Sequence, residues 1–238
     1  MATESPESPV TTSTTNKWTS ERVRQEIIAF IGKYQKIMLT SLIAVVAAGV
    51  LAAGWAIYQN NRVLMMNTTF EKGFNLYLRS QRTQDAFSAN QYVNEAISTL
   101  ETVEKKVRGT ALGNRASYIL ANCYYQTKKS DEAIKRLKKV SEQRGFYLAP
   151  QAMYDLIMIT VEAGNYDDAL MYAQKFKKMY AKSYLAGEVV ITASTVYRKL
   201  NDREKAVNVL KEFLKANPES SYKKKMAERV ALLEAKVL

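Results

Sequence analysis

Few side chains of this 238-residue chain could carry out bond-making chemistry. The carboxylate pairs Asp131/Glu132 and Asp167/Asp168 have the proximity that acid/base catalysis uses. Each pair, however, stands where a polar turn gives way to an apolar helical periodicity, and a helix start favours anions by capping and by its dipole. Capping is therefore the expected role. Cys123, the single cysteine, lies between Ala121 and Tyr124 in an apolar stretch and reads as a small buried hydrophobe. With no histidine, the chain has no Ser-His-Asp or Cys-His constellation, no HExxH helix and no imidazole base. One cysteine also rules out an intrachain disulfide, a CxxC pair and a multi-cysteine zinc site. The 9 glycines are scattered, so a phosphate-cradling loop is absent. No enzyme activity, cofactor or metal is expected.

Binding chemistry is better represented. Helical spacing puts Arg115, Tyr118, Asn122 and Tyr125 on one face, Gln151, Tyr154 and Met158 on a second, and Glu188, Thr195 and Arg198 on a third. Tyrosine and methionine among polar groups suit a peptide or protein segment, because aromatic anchors dominate interface energy. These ten residues are the candidate protein-binding groove. Packing of several against neighbouring helices is an equally good reading.

The elements that would position them form a repeat. Ala96, Leu100 and Val103 are echoed by Ala133, Leu137 and Val140, by Ala169, Ala173 and Phe176, and by Ala206, Leu210 and Phe213. The alanines are 37, 36 and 37 residues apart, and a recurring i, i+4, i+7 face at such a period signals a solenoid of helix pairs. Only 9 Gly and 4 Pro also favour an all-α chain over a turn-rich β fold. First helices precede each alanine: Leu120, Ala121 and Tyr124; Leu156 and Ile157; Ala193, Ser194 and Tyr197. Polar turns follow them, such as Gly164-Asn165-Tyr166-Asp167-Asp168 and Asn201-Asp202-Arg203-Glu204.

These residues resemble the tetratricopeptide repeat, best in "EAGNYDDAL" and "LNDREKAVNVLKEFLKANPES". The resemblance implies a TPR-like α-solenoid whose small residues let paired helices approach closely. Repeats are expected at about 66–107 (divergent), 114–146, 150–183 and 187–218 within a domain at 62–238. A capping helix at 222–237 carries Met226, Val230, Leu233 and Val237 on one face. Two departures stand out: Gln81–Gln91 reads as an insertion in the first unit, and Ala173 and Thr160 replace larger residues of the pattern.

Ahead of this domain, no charge interrupts Ile37 to Gln59. Residues 37–58 are long enough for a transmembrane helix, which needs about 20 residues. Lys33, Lys36 and Arg62 flank it, and Tyr34, Trp55 and Tyr58 suit the interfaces. Residues 21–36 read either as an amphipathic helix on the inner leaflet or as an extension of the span. Residues 1–20, with 4 Ser, 6 Thr and 2 Pro, read as a disordered tail. Lys17, Arg22, Arg24, Lys33 and Lys36 precede the span, against Arg62, Lys72 and Arg79 after it. That bias places the N-terminus in the cytoplasm and the repeats in the periplasm of a bacterial inner membrane.

The order of parts, with Gly32-Lys33 before the span and Gly54-Trp55 and Tyr58 closing it, is similar to the ancillary SecYEG translocon subunit (YfgM-like) family over residues 30–220. That resemblance implies a periplasm-facing adaptor whose partners are the secretion translocon or periplasmic chaperones. The alternative is an envelope component acting by self-association. Residues 62–238 carry 30 Lys plus Arg and 19 Asp plus Glu, a net charge of +11. Lys135-Arg136-Lys138-Lys139, Lys175-Lys177-Lys178 and Lys223-Lys224-Lys225 read as solvated faces. Nucleic acid is not an expected partner, since the basic runs carry no base-reading aromatic motif; lipid headgroups or acidic proteins suit them better.

Overall fold

The computed structural model describes residues 20–235. The tail at 1–19 and Val237 of the terminal apolar face lie outside the described residues. Within them every regular element is a helix: α1 (Ser20–Arg82), α2 (Ala86–Lys106), α3 (Ala111–Gln126), α4 (Ser130–Ser141), α5 (Ala149–Glu162), α6 (Tyr166–Met179), α7 (Ala186–Lys199), α8 (Arg203–Ala216) and α9 (Lys223–Glu234). The chain divides into two units, Met1–Tyr58 and Gln59–Leu238.

In the first unit, residues 20–58 are helical without a break at 36/37, so the expected juxtamembrane and membrane segments share one helix. Its apolar side chains are exposed, Val45 and Leu51 by 70% and 75%. At a rise of 1.5 Å per residue, 37–58 is about 33 Å long. By length and composition this stretch can cross a membrane, and none of it is buried. Phe30 and Tyr34 pair at 4.7 Å and Trp55 and Tyr58 at 6.2 Å between ring centroids.

The second unit stacks antiparallel helix pairs. Residues 59–82 of α1 pack with α2, then α3 with α4, α5 with α6 and α7 with α8. Ala96, Ala133, Ala169 and Ala206 are at most 1% exposed, and Leu100, Leu137 and Leu210 are fully buried. Each such leucine contributes about 2 kcal/mol of transfer free energy. Small residues set the crossings. A Cβ on Gly73 would lie 2.7 Å from Leu100 Cγ, and one on Gly187 would lie 2.3 Å from the Tyr222 ring.

The turns close alike. Lys129, Asn165 and Asp202 each donate a backbone N–H to the carbonyl five residues back, at 2.8, 2.9 and 2.9 Å. The residue before each, Lys128, Gly164 and Asn201, takes a left-handed φ of 62°, 76° and 60°. This is the Schellman closure, which glycine or asparagine adopts cheaply and lysine does not. Three helix starts carry side-chain caps: Asp85 accepts from Ser88 N, Thr110 from Gly113 N and Asp202 from Lys205 N. The pairs Asp131/Glu132 and Asp167/Asp168, expected to cap, instead lie within the first turns of α4 and α6, whose N-cap residues Lys129 and Asn165 make no side-chain cap, so their favourable place is by the helix dipole.

The expected insertion at Gln81–Gln91 is instead helical apart from residues 83–85. α1 ends at Arg82 and α2 starts at Ala86, so the first pair differs by longer helices and not by a loop. Asp85 explains this, because its cap lets α2 begin ten residues before Ala96.

Candidate functional site

The groove candidates fall on the first helices of the pairs, and the structure engages most of them with side chains outside the candidate set. A 37-residue step moves from one first helix to the equivalent position of the next. Tyr118 and Asp155 are so related, and the tyrosine hydroxyl donates to Asp155 Oδ2 at 2.7 Å. Gln151 donates to Asp155 Oδ1 at 2.8 Å and accepts from Tyr184 at 3.2 Å. Tyr125 donates to Glu162, and Lys225 reaches Glu188 at 3.0 Å. The Arg115 guanidinium lies 4.5 Å from the centre of the Phe70 ring, and Asn122 and Tyr154 lie on the same first helices, α3 and α5. Met158 is half-buried among them. The polar face thus forms a ladder of side-chain contacts between adjacent pairs.

Asp155 is the group that the sequence reading missed. Burial pushes its carboxyl up from 3.8, against the lowering effect of the Tyr118 and Gln151 hydrogen bonds. Burial and the Asp155 charge in turn raise the Tyr118 phenol. The missed signal was the period itself: 118 plus one 37-residue step lands on an acid.

The ladder continues into α9. Arg229 donates to Thr195 at 2.6 Å, as one further first helix would. Burial and the neighbouring Arg198 charge lower the Arg229 pKa. The Nε atoms of both arginines are buried without a hydrogen-bond acceptor.

Among the second helices, the Lys135–Lys139 run is not uniformly solvated. Arg136 is only 14% exposed, reaching Glu132 at 2.5 Å, Glu104 at 3.6 Å and Glu101 at 3.8 Å. Its guanidinium also lies 4.5 Å from the Tyr124 ring centre. Burial pushes the Cys123 thiol up to about 12, leaving no reactive thiolate near neutral pH. Among the described residues, no three His, Cys, Asp or Glu side chains gather as a metal site needs.

A cavity of ≈ 650 Å³ lies elsewhere, between α6 and α8 over a floor of α7. None of the ten groove candidates lines it. Ala173, one of the departures from the repeat pattern, stands in its wall. Missing bulk at that position was the sequence signal for it.

With this geometry in view, the class is clear. Residues 82–140 and 188–220 match sequence models of the tetratricopeptide repeat, so the chain carries these repeats and with them a protein-protein interaction module. Among solved structures it is similar to the apo form of RapI, at a TM-score of 0.52 and 15% identity over 73% of this chain. The chain covers 48% of that structure, about half its length. It is also similar to a singly substituted form of a Podosopora anserina kinesin-light-chain protein with nearly identical TPR-like repeats. There the TM-score is 0.49 at 15% identity, over 73% of this chain and 96% of that one. No curated protein matches the chain.

Proposed function

We propose that the chain is a non-enzymatic adaptor, anchored in a bacterial inner membrane by residues 37–58, with its repeats serving protein partners in the periplasm. The observation that carries this reading is the exposed apolar helical stretch on the same chain as a repeat module. The likeness of its segment order to the YfgM-like family supports the secretion translocon and periplasmic chaperones as the partners. Self-association is disfavoured, because copies with a net charge of +11 on the repeat domain repel one another.

Alkaline carbonate extraction of cell membranes, protease added to spheroplasts and crosslinking in intact membranes test the three parts. The adaptor stays with the membrane, loses residues 62–238 to the protease and captures a translocon or chaperone subunit. Release by carbonate, full protection, or crosslinks only between copies would each overturn the corresponding part.

A further inference from the structure

The second helices are tied to their neighbours by side chains of unequal exposure. Arg136 joins α4 to α2 through Glu101 and Glu104. Lys175 to Glu142, Tyr180 to the Ser141 carbonyl and Lys138 over the Tyr172 ring join α6 to α4. Between α6 and α8, Lys177 reaches Glu212 at 3.4 Å, with both side chains more than 60% exposed. The apolar core is also divided there. One cluster runs from Phe70 to Val196, and a second gathers Ile191, Ala206, Val207, Leu210, Met226, Val230 and Leu233.

We propose that the cavity between α6 and α8 is a docking groove for an amphipathic helix of a partner protein, with an apolar stripe against α7 and carboxylates on its flanks. This rests on the adaptor reading and adds the partner's chemistry.

Shape is the first argument. The floor residues Ala186, Val190, Ala193 and Tyr197 recur at helical spacing, and Val209 and Phe213 of α8 face them. Ala186 to Tyr197 spans three turns, about 16 Å, the length of a short helix. Alanine at 173, 193 and 216 lets an incoming helix approach the walls closely. Half-buried Leu170, Val190, Val209 and Phe213 offer the apolar surface that a helix-in-groove contact uses.

Charge is the second. Lys177, Lys182 and Lys205 border the groove, and Glu212 is the sole carboxylate of its lining. Lys182 makes no ion pair among the described residues. The pairs Lys177–Glu212 and Lys205–Asp202 are exposed on the lysine side, and such pairs contribute little and exchange readily. A cationic rim selects an acidic partner and repels a basic one, including a second copy of this chain.

The full-length protein in lipid nanodiscs is titrated with a fluorescent helical peptide of about four turns, leucine at every third or fourth position and glutamate elsewhere. A matched peptide carries lysine in place of glutamate, and laurate serves as a non-peptide anionic amphiphile. The acidic peptide binds, the basic one does not, and Ala193→Glu and Lys182→Glu each weaken binding at least tenfold. Lys182 is exposed, so its variant reports even if Ala193→Glu disturbs α7. Equal binding of both peptides, indifference to both variants, binding of laurate alone, or a dimer that Lys182→Glu dissociates would overturn the groove. Crosslinking of the same variants in intact membranes separates the two claims. Partner capture that persists in them leaves the adaptor standing while the groove falls.

Discussion

Tyr118 and Asp155 lie 37 residues apart in sequence and 2.7 Å apart in space, one repeat step closed by one hydrogen bond. Replacing Tyr118 by Phe leaves the half-buried carboxylate with Gln151 as its remaining side-chain donor. A stability loss of about 1–2 kcal/mol follows, because an under-satisfied buried charge costs more than an average hydrogen bond is worth. Urea unfolding of the full-length variant, followed by circular dichroism, measures it; an unchanged midpoint would remove the ladder from the stabilising contacts.

The same carboxyl sets a pH dependence. Burial raises the Asp155 pKa above 3.8, so the folded state holds the proton more tightly than the unfolded state does. The stability this brings is complete below 3.8 and is lost as pH rises through the raised folded value. Asp155→Asn cannot titrate. The wild type therefore loses stability relative to Asp155→Asn as pH rises through that window, and the difference is flat above it. A wild type that instead loses stability relative to Asp155→Asn on acidification would reverse the sign and refute the burial effect.

Lys128 holds a left-handed φ of 62° where the equivalent turn of the next pair has Gly164. Lys128→Gly relieves that strain and is expected to stabilise by about 0.5–1 kcal/mol, net of glycine's greater freedom in the unfolded chain. Asn201→Ala, at the third such turn, is expected to destabilise instead. Thermal midpoints of the two variants should move in opposite directions.

Arg136 sits among three glutamates and against an aromatic face. Arg136→Leu removes the positive charge and leaves Glu104, whose side chain is only 18% exposed, without its cation. A loss of about 2 kcal/mol is expected. The companion Glu132→Gln variant, at the exposed end of the cluster, should cost far less. Similar losses for both would mean that the cluster acts as one unit.

Cys123 is fully buried, and burial pushes its thiol up to about 12. At pH 8 the thiolate fraction is then of order one part in ten thousand. An aromatic disulfide reagent should leave the native protein unmodified for hours and react at once in denaturant. Rapid native labelling would show that α3 opens locally far more often than its packing implies.

The all-α repeat was legible because its signal is redundant. Ala96, Ala133, Ala169 and Ala206 mark the same crossing in successive pairs, and each is buried as its spacing requires. The extended α2 was not, since a capping aspartate at position 85 and a polar loop look alike in a single chain. The groove candidates were placed on the first helices by periodicity, but periodicity does not say which polar groups meet. Tyr118 and Glu188 find partners 37 residues away, a pairing that appears only when the repeat step is applied to the polar positions as well as the apolar ones, and Gln151 meets Tyr184 at a shorter separation of 33. The cavity follows from volume and not from pattern: alanine keeps the apolar code at position 173 while leaving space.

The division of the core at α7 also has a mechanical meaning. Val189 and Val196 belong to one cluster and Ile191 to the other, so α7 offers a face to each. Tension applied along such a stack concentrates where lateral ties are fewest, and α7 becomes the axle of a compliant joint. The segment from α8 onward would swing and yield before the α2–α6 block does, with a distinct early step in a force-extension trace. An occupant of the space beside α7 would act as a splint, and the joint would stiffen in proportion to its occupancy.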